Sequence, residues 1–135
     1  MVDQTALIRL ESPVVIVGCG LAGLTVALEL AEQQKIIILS KKELSTSATA
    51  WAQGGIVNVV NDPSNIEAHV SDTVKAGDGL VVESVARYVA QSGDNAIKWL
   101  LNKGVAFSRN ENESNNLHLV KEGGHSVPRI AHAAD

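Results

Sequence analysis

The sequence predicts an α/β fold in which a Rossmann-like parallel βαβ unit is followed by a mainly helical segment. Residues 14–17 read VVIV and residues 36–39 read IIIL, and such continuous apolar runs are typical of strands buried on both faces. A glycine-rich turn and a helix-forming stretch from about Leu21 to Gln33 separate the two runs. A helix that connects two buried strands predicts a parallel sheet.

The turn after the first strand has the spacing Gly18-x-Gly20-x-x-Gly23. We expect Gly18 to permit the tight turn, Gly20 to let a pyrophosphate approach the backbone, and Gly23 to let the helix pack on the strand. The N–H groups and partial positive charge of a helix N-terminus favour phosphate at this point. This context favours a dinucleotide site over a glycine turn that binds nothing.

The end of the second strand lacks the acidic residue that usually holds the ribose hydroxyls of a dinucleotide. Ser40, Lys41 and Lys42 stand there, and Glu43 comes about three residues late. Two interpretations remain open on the residues alone. The lysines could hold the 2′-phosphate of NADP, as in a non-enzymatic NAD(P)-binding module, or they could form a solvated basic turn.

A second glycine motif reads Ala52-Gln53-Gly54-Gly55. Adjacent glycines after a small residue expose backbone N–H groups, which a flavin needs along its pyrimidine edge and near N5. A type I′ or II′ hairpin turn would also use two glycines. The motif therefore predicts a flavin contact, with a hairpin turn as the alternative.

The rest of the chain is predicted as three helices and short strands. The stretch 56–60 is a candidate strand, and a helix begins at Ser64 with a capping box to Glu67. Its apolar face carries Ile66, Val70 and Val74, and Gly77 and Gly79 end it.

Two further helices are expected over about 83–92 and 94–103, closed by Gly104. The expected inward residues are Val82, Val85, Ala86 and Val89 in the first helix and Ile97, Trp99 and Leu100 in the second. Candidate strands at 105–107 and 117–120 flank a polar loop. We expect one domain over 1–135, with the βαβ unit and flavin loop in about 1–60 and the helical segment in 61–135.

Composition excludes several classes of protein. The chain has 135 residues, 45% of them hydrophobic, and a net charge of −4, which argues against general nucleic-acid binding. Its single cysteine, Cys19, excludes an intrachain disulfide and fits a reducing compartment. No apolar run reaches the roughly 18 residues needed to cross a bilayer. A cytoplasmic protein that does not bind membranes is expected.

At this point the sequence resembles a known family. The series Val-Ile-Val-Gly-x-Gly-x-Ala-Gly, Leu-Ser-Lys and Ala-Gln-Gly-Gly-Ile is similar to the flavoproteins of succinate dehydrogenase and fumarate reductase, and within them to the L-aspartate oxidases. The similarity continues through His69-Val-x-Asp72-Thr, Glu122-Gly-Gly-His-Ser and Arg129-Ile-x-His132-Ala-x-Asp135. It covers nearly the whole chain, and the order of the motifs is more specific than any one of them.

The resemblance implies a Rossmann-like FAD-binding domain of which this chain is the N-terminal, incomplete part. It gives Ser40 and Lys41 a place beside the adenosine side of FAD. Ala48 stands where respiratory relatives carry the histidine that bonds FAD covalently, so noncovalent FAD is expected. The cofactor-binding residues expected from the motifs are Gly18, Cys19, Gly20, Leu21, Ala22, Gly23, Ser40, Lys41, Ala48, Thr49, Ala50, Trp51, Ala52, Gln53, Gly54 and Gly55.

Three residues near the end are candidate catalytic or substrate residues by the same resemblance. Glu122 replaces an apolar residue, commonly Phe, of the relatives, and its carboxylate could pair with the α-ammonium of aspartate. On residues alone, an exposed loop acid is the simpler interpretation. His125 is expected to line the flavin or substrate pocket. Arg129 could clamp a carboxylate or form an ion pair with a protein acid.

Metal binding is not expected. His118, His125 and His132 recur every seven residues, but neither an HExxH motif nor a cysteine cluster accompanies them. His69 is expected on the first long helix in a structural role.

The activity implied by the resemblance is oxidation of L-aspartate to iminoaspartate, the first step of NAD biosynthesis, with oxygen or fumarate as acceptor. Quinolinate synthase is the expected recipient of the product. In the family most substrate residues lie in later segments, so we expect 135 residues alone to be inactive. A soluble fumarate reductase or succinate dehydrogenase flavoprotein is the alternative.

Overall fold

The computed structural model describes residues 9–52, 55–59, 62–110 and 116–133. The chain divides into two compact units, residues 1–53 and 54–135, and each is described by itself. Within the described residues, no helix combines the length and apolar character needed to cross a membrane.

The first unit contains the predicted βαβ arrangement. Strand β1 (Val14–Val17) and strand β2 (Ile36–Leu39) pair in parallel, from Val14 opposite Ile36 to Val17 opposite Leu39. Helix α1 (Leu21–Leu30) connects them and buries Ala27. The helix ends three residues earlier than expected, because the N–H groups of Gln33 and Gln34 both turn back to the carbonyl of Leu30. The fold-class prediction is confirmed.

The second unit combines two helices with a small antiparallel sheet. Helix α2 spans Pro63–Ala76 and helix α3 spans Glu83–Asn102. The strands are β3 (Ile56–Val57), β4 (Leu119–Val120) and β5 (Ile130–Ala131), and their order is β3-β5-β4. The central strand β5 follows the other two in the described sequence, and residues more than seventy positions apart become neighbours in this sheet.

The core of the second unit has two clusters. Val59, Ile66, Val70 and Ala90 form one of them, with Val74 packed against it. This confirms the predicted apolar face of α2. The other cluster joins Ile97 of α3 to Phe107 and to Ala131 of β5, with further partly buried residues around it: Ile56, Leu100, Leu101, Val105, Leu117 and Leu119.

The predicted start of α2 was wrong in its capping residue. Asp62 is the N-cap, its Oδ1 accepts a hydrogen bond of 2.7 Å from the backbone N–H of Ser64, and Pro63 begins the helix. Asp is as good a cap as Ser, and Pro is favoured in the first turn because its missing N–H would be unpaired anyway. The hydrogen bonds from Ser64 also lower the pKa of Asp62.

The expectation of two helices over 83–103 was also wrong, since α3 continues without a break through Gly93. The inward face differs in the first half of α3, where Val82, Val85 and Val89 are exposed and Ala90 is buried. In the second half, the predicted burial of Ile97 is confirmed. Two turns separate Ala90 from Ile97, so both lie on the face that meets the core. The candidate strand at 105–107 is reduced to a single bridge between Phe107 and Ala133.

Candidate functional site

The glycine turn after β1 has the geometry that its three glycines require. Gly18 has φ +106°, a conformation that L side chains rarely adopt. A Cβ on Gly23 would lie 2.4 Å from the carbonyl oxygen of Gly18, so only glycine lets α1 approach the turn this closely. A Cβ on Gly20 would meet nothing nearer than Thr49 Oγ1, at 3.6 Å, so this position borders open space.

The N-terminus of α1 is tied to a loop that follows β2. Thr49 Oγ1 accepts a hydrogen bond of 3.0 Å from the backbone N–H of Leu21, the first residue of the helix. Thr49 begins a short 3-10 turn over Thr49–Trp51, which is preceded by another over Leu44–Thr46. The first turn of α1 carries no acidic residue, so its partial positive charge is not cancelled locally.

The end of β2 lies against the glycine turn. The N–H of Gly18 donates to the carbonyl of Leu39 over 2.8 Å, and Cys19 Sγ lies 3.0 Å from Ser40 Oγ. Ser40 also donates to the carbonyl of Lys42. These bonds hold the start of the loop after β2, from Ser40 to Lys42, against the turn after β1.

A cavity of about 370 Å³ opens at this place. Backbone of a glycine turn, a helix N-terminus and two lysines surround it, and this donor set suits the phosphates and ribose of a dinucleotide such as FAD. The residues present therefore fit the cofactor's pyrophosphate and adenosine side. The lining residues are Gly18, Cys19, Gly20, Ser40, Lys41, Lys42, Glu43, Thr46, Ser47, Ala48 and Thr49.

The expected flavin motif is described only in part. Ala48, Thr49 and Ala50 lie in and beside the 3-10 turn, Trp51 is 76% exposed, and Ala52 follows it. Gln53 and Gly54 lie outside the described residues. The binding roles of all these positions remain predictions.

Gly55 has a packing reason to be glycine. A Cβ there would lie 2.3 Å from Ile130 Cγ2 and 2.7 Å from the carbonyl oxygen of Ala131, both in β5. The close approach of β5 therefore accounts for one glycine of the Gly-Gly pair without a ligand.

In the second unit, Arg129 is the centre of a buried polar cluster. The Arg129 side chain is 3% exposed, and its Nη1 lies 2.6 Å from Asp72 Oδ2 on α2. Ser126 donates to the same carboxylate oxygen from its backbone N–H, at 2.7 Å, and from its hydroxyl, at 2.8 Å. These bonds hold the pKa of Asp72 well below its usual range, and the bond from Arg129 contributes most. Of the two roles expected for Arg129, the structure contains the ion pair with a protein acid.

His125 is also bound to Arg129. Arg129 Nη1 lies 3.0 Å from His125 Nδ1, and a guanidinium can only donate hydrogen bonds. Nδ1 of His125 must therefore accept, which leaves the proton of the neutral ring on Nε2. This tautomer makes His125 a hydrogen-bond donor through Nε2.

A second imidazole, that of His69, stacks on the ring of His125. His69 lies on α2, and the two rings have centroids 5.7 Å apart and planes 11° apart. Burial lowers the pKa of His69, and the positive charge of Arg129 lowers it further. His69 Nδ1 is buried and lacks a hydrogen-bond partner among the described residues, so His69 is not the fully satisfied structural residue expected from sequence.

Glu122, the candidate for substrate discrimination, lies beside His132. Glu122 Oε1 is 3.2 Å from His132 Nε2, and the Glu122 side chain is 47% exposed. Glu122 is therefore accessible from solvent, as both interpretations of it require. His118 is exposed, and no group of three His, Cys, Asp or Glu residues suited to a metal ion occurs in the described ranges.

Two residues of this cluster, Asp72 and Ser126, were not among the candidates from sequence. Both contacts span more than fifty positions along the chain. The available signal was Arg129 itself, because a buried guanidinium requires an acidic partner.

Fold and site together define a nucleotide-binding flavoprotein domain, and comparison with known proteins specifies it further. The model of the family described as "FAD binding domain" matches residues 13–135, and the chain belongs to this family. FAD is the cofactor indicated, so the NADP interpretation of Lys41 and Lys42 is not retained.

The resemblance to the L-aspartate oxidases is confirmed. L-aspartate oxidase 1 of Ralstonia nicotianae is 47% identical over 122 residues, which are 90% of this chain and 23% of that protein. The L-aspartate oxidase of Neisseria meningitidis serogroup B is 49% identical over 125 residues, 93% of this chain and 24% of that protein. The chain thus spans about a quarter of the length of these relatives.

The chain is also similar in fold to a solved flavoprotein structure. A variant of E. coli quinol fumarate reductase is 30% identical, with a TM-score of 0.81 over 95% of this chain and 22% of that chain.

Proposed function

We propose that this chain is the N-terminal, FAD-binding part of an enzyme that oxidises L-aspartate to iminoaspartate. The observation that carries the proposal is the combination of a flavoprotein glycine turn with an accessible carboxylate, Glu122, at the position where respiratory relatives have an apolar residue. Identity of 47% and 49% to two L-aspartate oxidases supports it.

The first unit would hold the cofactor. The N-terminus of α1 and the open edge at Gly20 bind the pyrophosphate, and Ser40 and Lys41 contact the adenosine side. The segment from Ala48 to Gly55 supplies contacts to the ring system. Ala48 has no nucleophilic atom, so the attachment is noncovalent. In this site FAD would supply the acceptor for the hydride removed from Cα of the substrate.

The second unit would contribute to the substrate site. Glu122 pairs with the α-ammonium group, a charge that succinate and fumarate lack. His125 donates a hydrogen bond from Nε2, in a tautomer that Arg129 fixes. Because the guanidinium of Arg129 is already engaged with Asp72, Ser126 and His125, Arg129 acts by holding His125 rather than by clamping a carboxylate.

The proposed reaction has oxygen or fumarate as the final acceptor and is the first step of NAD biosynthesis. Iminoaspartate hydrolyses readily, so direct transfer to quinolinate synthase would protect it. We place the reaction in the cytoplasm, which agrees with a single, unpaired cysteine.

A soluble fumarate reductase or succinate dehydrogenase flavoprotein is the second candidate. The TM-score of 0.81 to quinol fumarate reductase is compatible with this candidate, because the same backbone fold serves both activities. Glu122 and Ala48 argue against it.

The test uses the full-length protein that carries this chain. Anaerobic addition of L-aspartate should bleach the flavin absorbance, and addition of oxygen should yield peroxide. Bleaching by succinate but not by aspartate would establish the second candidate instead. Acid precipitation should release all flavin into the supernatant, and yellow colour in the pellet would contradict noncovalent attachment. A polypeptide limited to residues 1–135 is the matched control and should form no peroxide.

A further inference from the structure

His132 Nε2 lies close to the carboxylate of Glu122 but has no hydrogen-bond partner among the described residues. His132 Nε2 is buried, and Glu122 Oε1 lies 3.2 Å from it. The two atoms are at ion-pair distance without forming a hydrogen bond. A buried polar atom left unpaired is costly, so a bond to Glu122 is strongly favoured.

His132 is the fixed member of the pair. It follows β5 directly, and its carbonyl accepts a hydrogen bond of 2.8 Å from the N–H of Ser108. Its neighbours in sequence are anchored too: Ala131 is fully buried, and Ala133 forms a bridge with Phe107. The backbone on both sides of His132 is therefore held by the sheet.

Glu122 is the adjustable member. Its carbonyl accepts a bond of 3.3 Å from the N–H of His125 across a turn in which Gly124 has φ +82°. The backbone position of Glu122 is thus fixed, whereas its side chain is 47% exposed and can adopt more than one rotamer. An exposed side chain with rotatable bonds can adjust toward His132 Nε2, which lies 3.2 Å from Oε1.

We propose that His132 is a positioning residue that selects the rotamer of Glu122 used to bind the substrate ammonium group. The inference rests on the proposed function of Glu122. His132 Nε2–H donates to Oε1 and leaves Oε2 free for the substrate. A neutral imidazole can donate this bond without cancelling the negative charge that attracts the ammonium group. Glu122 alone would have to give up side-chain entropy when aspartate binds, and His132 removes part of that cost beforehand.

The test compares variants of the full-length holoenzyme. His132→Phe keeps a ring of similar size and removes the donor, whereas His132→Gln returns a donor near the position of Nε2. We expect His132→Phe to raise KM for aspartate about 5- to 20-fold with little change in kcat, and His132→Gln to restore most of the loss. The dissociation constant of succinate, measured from the flavin absorbance, should hardly change. His118→Phe, at an exposed position directly before β4, is the matched control.

A double-mutant cycle separates positioning from a general structural effect. If His132 acts through Glu122, then Glu122→Gln combined with His132→Phe should be no worse for aspartate than Glu122→Gln alone. Losses that add, or a His132→Phe variant that weakens aspartate and succinate equally, would overturn the inference. Should His132→Phe not fold, His132→Asn, whose shorter amide does not reach Glu122, replaces it in the cycle.

The wild-type measurement distinguishes this inference from the proposed function. A wild-type holoenzyme that does not oxidise aspartate overturns both. Oxidation by the wild type with unchanged kinetics in His132→Phe overturns only the role of His132.

Discussion

Arg129 Nη1 and Asp72 Oδ2 lie 2.6 Å apart and join the segment before β5 to the middle of α2. The pair is mostly buried, with side chains 3% and 18% exposed. The same guanidinium reaches His125 Nδ1 at 3.0 Å, so the side chain that links these two segments also fixes the tautomer of a candidate site residue. Stability and site geometry therefore depend on one side chain.

Replacement of Arg129 by Met should destabilise the protein strongly, because the partly buried carboxylate of Asp72 would lose the cation it pairs with and keep only its bonds from Ser126. We expect Tm to fall by roughly 5–15 °C, followed by circular dichroism. Arg87→Met is the matched control. Arg87 pairs with Glu67 and Glu83 at the surface, where ion pairs contribute little, so its Tm should hardly move. Equal losses in the two variants would contradict a special role for Arg129.

The depressed pKa of Asp72 predicts a specific response to acid. Hydrogen bonds from Arg129 and Ser126 lower this pKa from its ordinary value of 3.8. The stabilising contribution is therefore complete above 3.8 and is lost as pH falls through the lower pKa of the folded state. Asp72→Asn should be less stable than the wild type at neutral pH, and the difference should shrink as the pH falls below 3.8. Urea unfolding across an acid series measures this, and a difference that grows in acid would refute it.

His69 should give a separate response at milder pH. Burial and the nearby charge of Arg129 lower its pKa from 6.5, so the folded protein holds the neutral ring and the unfolded chain takes up the proton first. Stability should therefore decline as pH falls from 6.5 through the lower pKa of the folded state. His69→Phe keeps the stacked ring over His125 and should flatten that decline in urea unfolding. His118→Phe, at an exposed position, should leave the decline as it is.

Local patterns predicted the βαβ unit well, because apolar runs and glycine spacing act within about thirty residues. The same reasoning failed at Gly93. This residue falls between the two helices expected over 83–92 and 94–103, and a glycine inside a helix costs about 1 kcal/mol relative to alanine. In α3 the residues on both sides, Ala90 and Ile97, pack into the two core clusters, and that burial outweighs the local cost.

The candidate site was predictable in part for the same reason. Gly18, Gly20 and Gly23 form a local motif, and the structure gives Gly18 and Gly23 the geometry expected of them. The partners of Arg129 and Glu122 depend on how α2, β4 and β5 come together, and no local pattern encodes that. Sequence spacing alone leaves open whether Glu122 is an isolated loop acid, whereas its distance of 3.2 Å from His132 Nε2 gives it a partner.

The glycine turn allows stability and cofactor affinity to be separated. Gly20→Ala is compatible with the backbone, since φ is −75° there and the new Cβ would meet only Thr49 Oγ1 at 3.6 Å. The added methyl would stand at the edge of the 370 Å³ cavity. We therefore expect normal Tm without FAD and an affinity for FAD reduced at least about tenfold, since the pyrophosphate must approach this backbone.

Gly23→Ala is the contrasting variant, because its Cβ would lie 2.4 Å from the carbonyl oxygen of Gly18. It should lose about 1–3 kcal/mol of stability before any cofactor is added. Flavin fluorescence titration and thermal unfolding of the apoprotein measure the two effects. Unchanged FAD affinity in Gly20→Ala would contradict binding of the pyrophosphate at this turn.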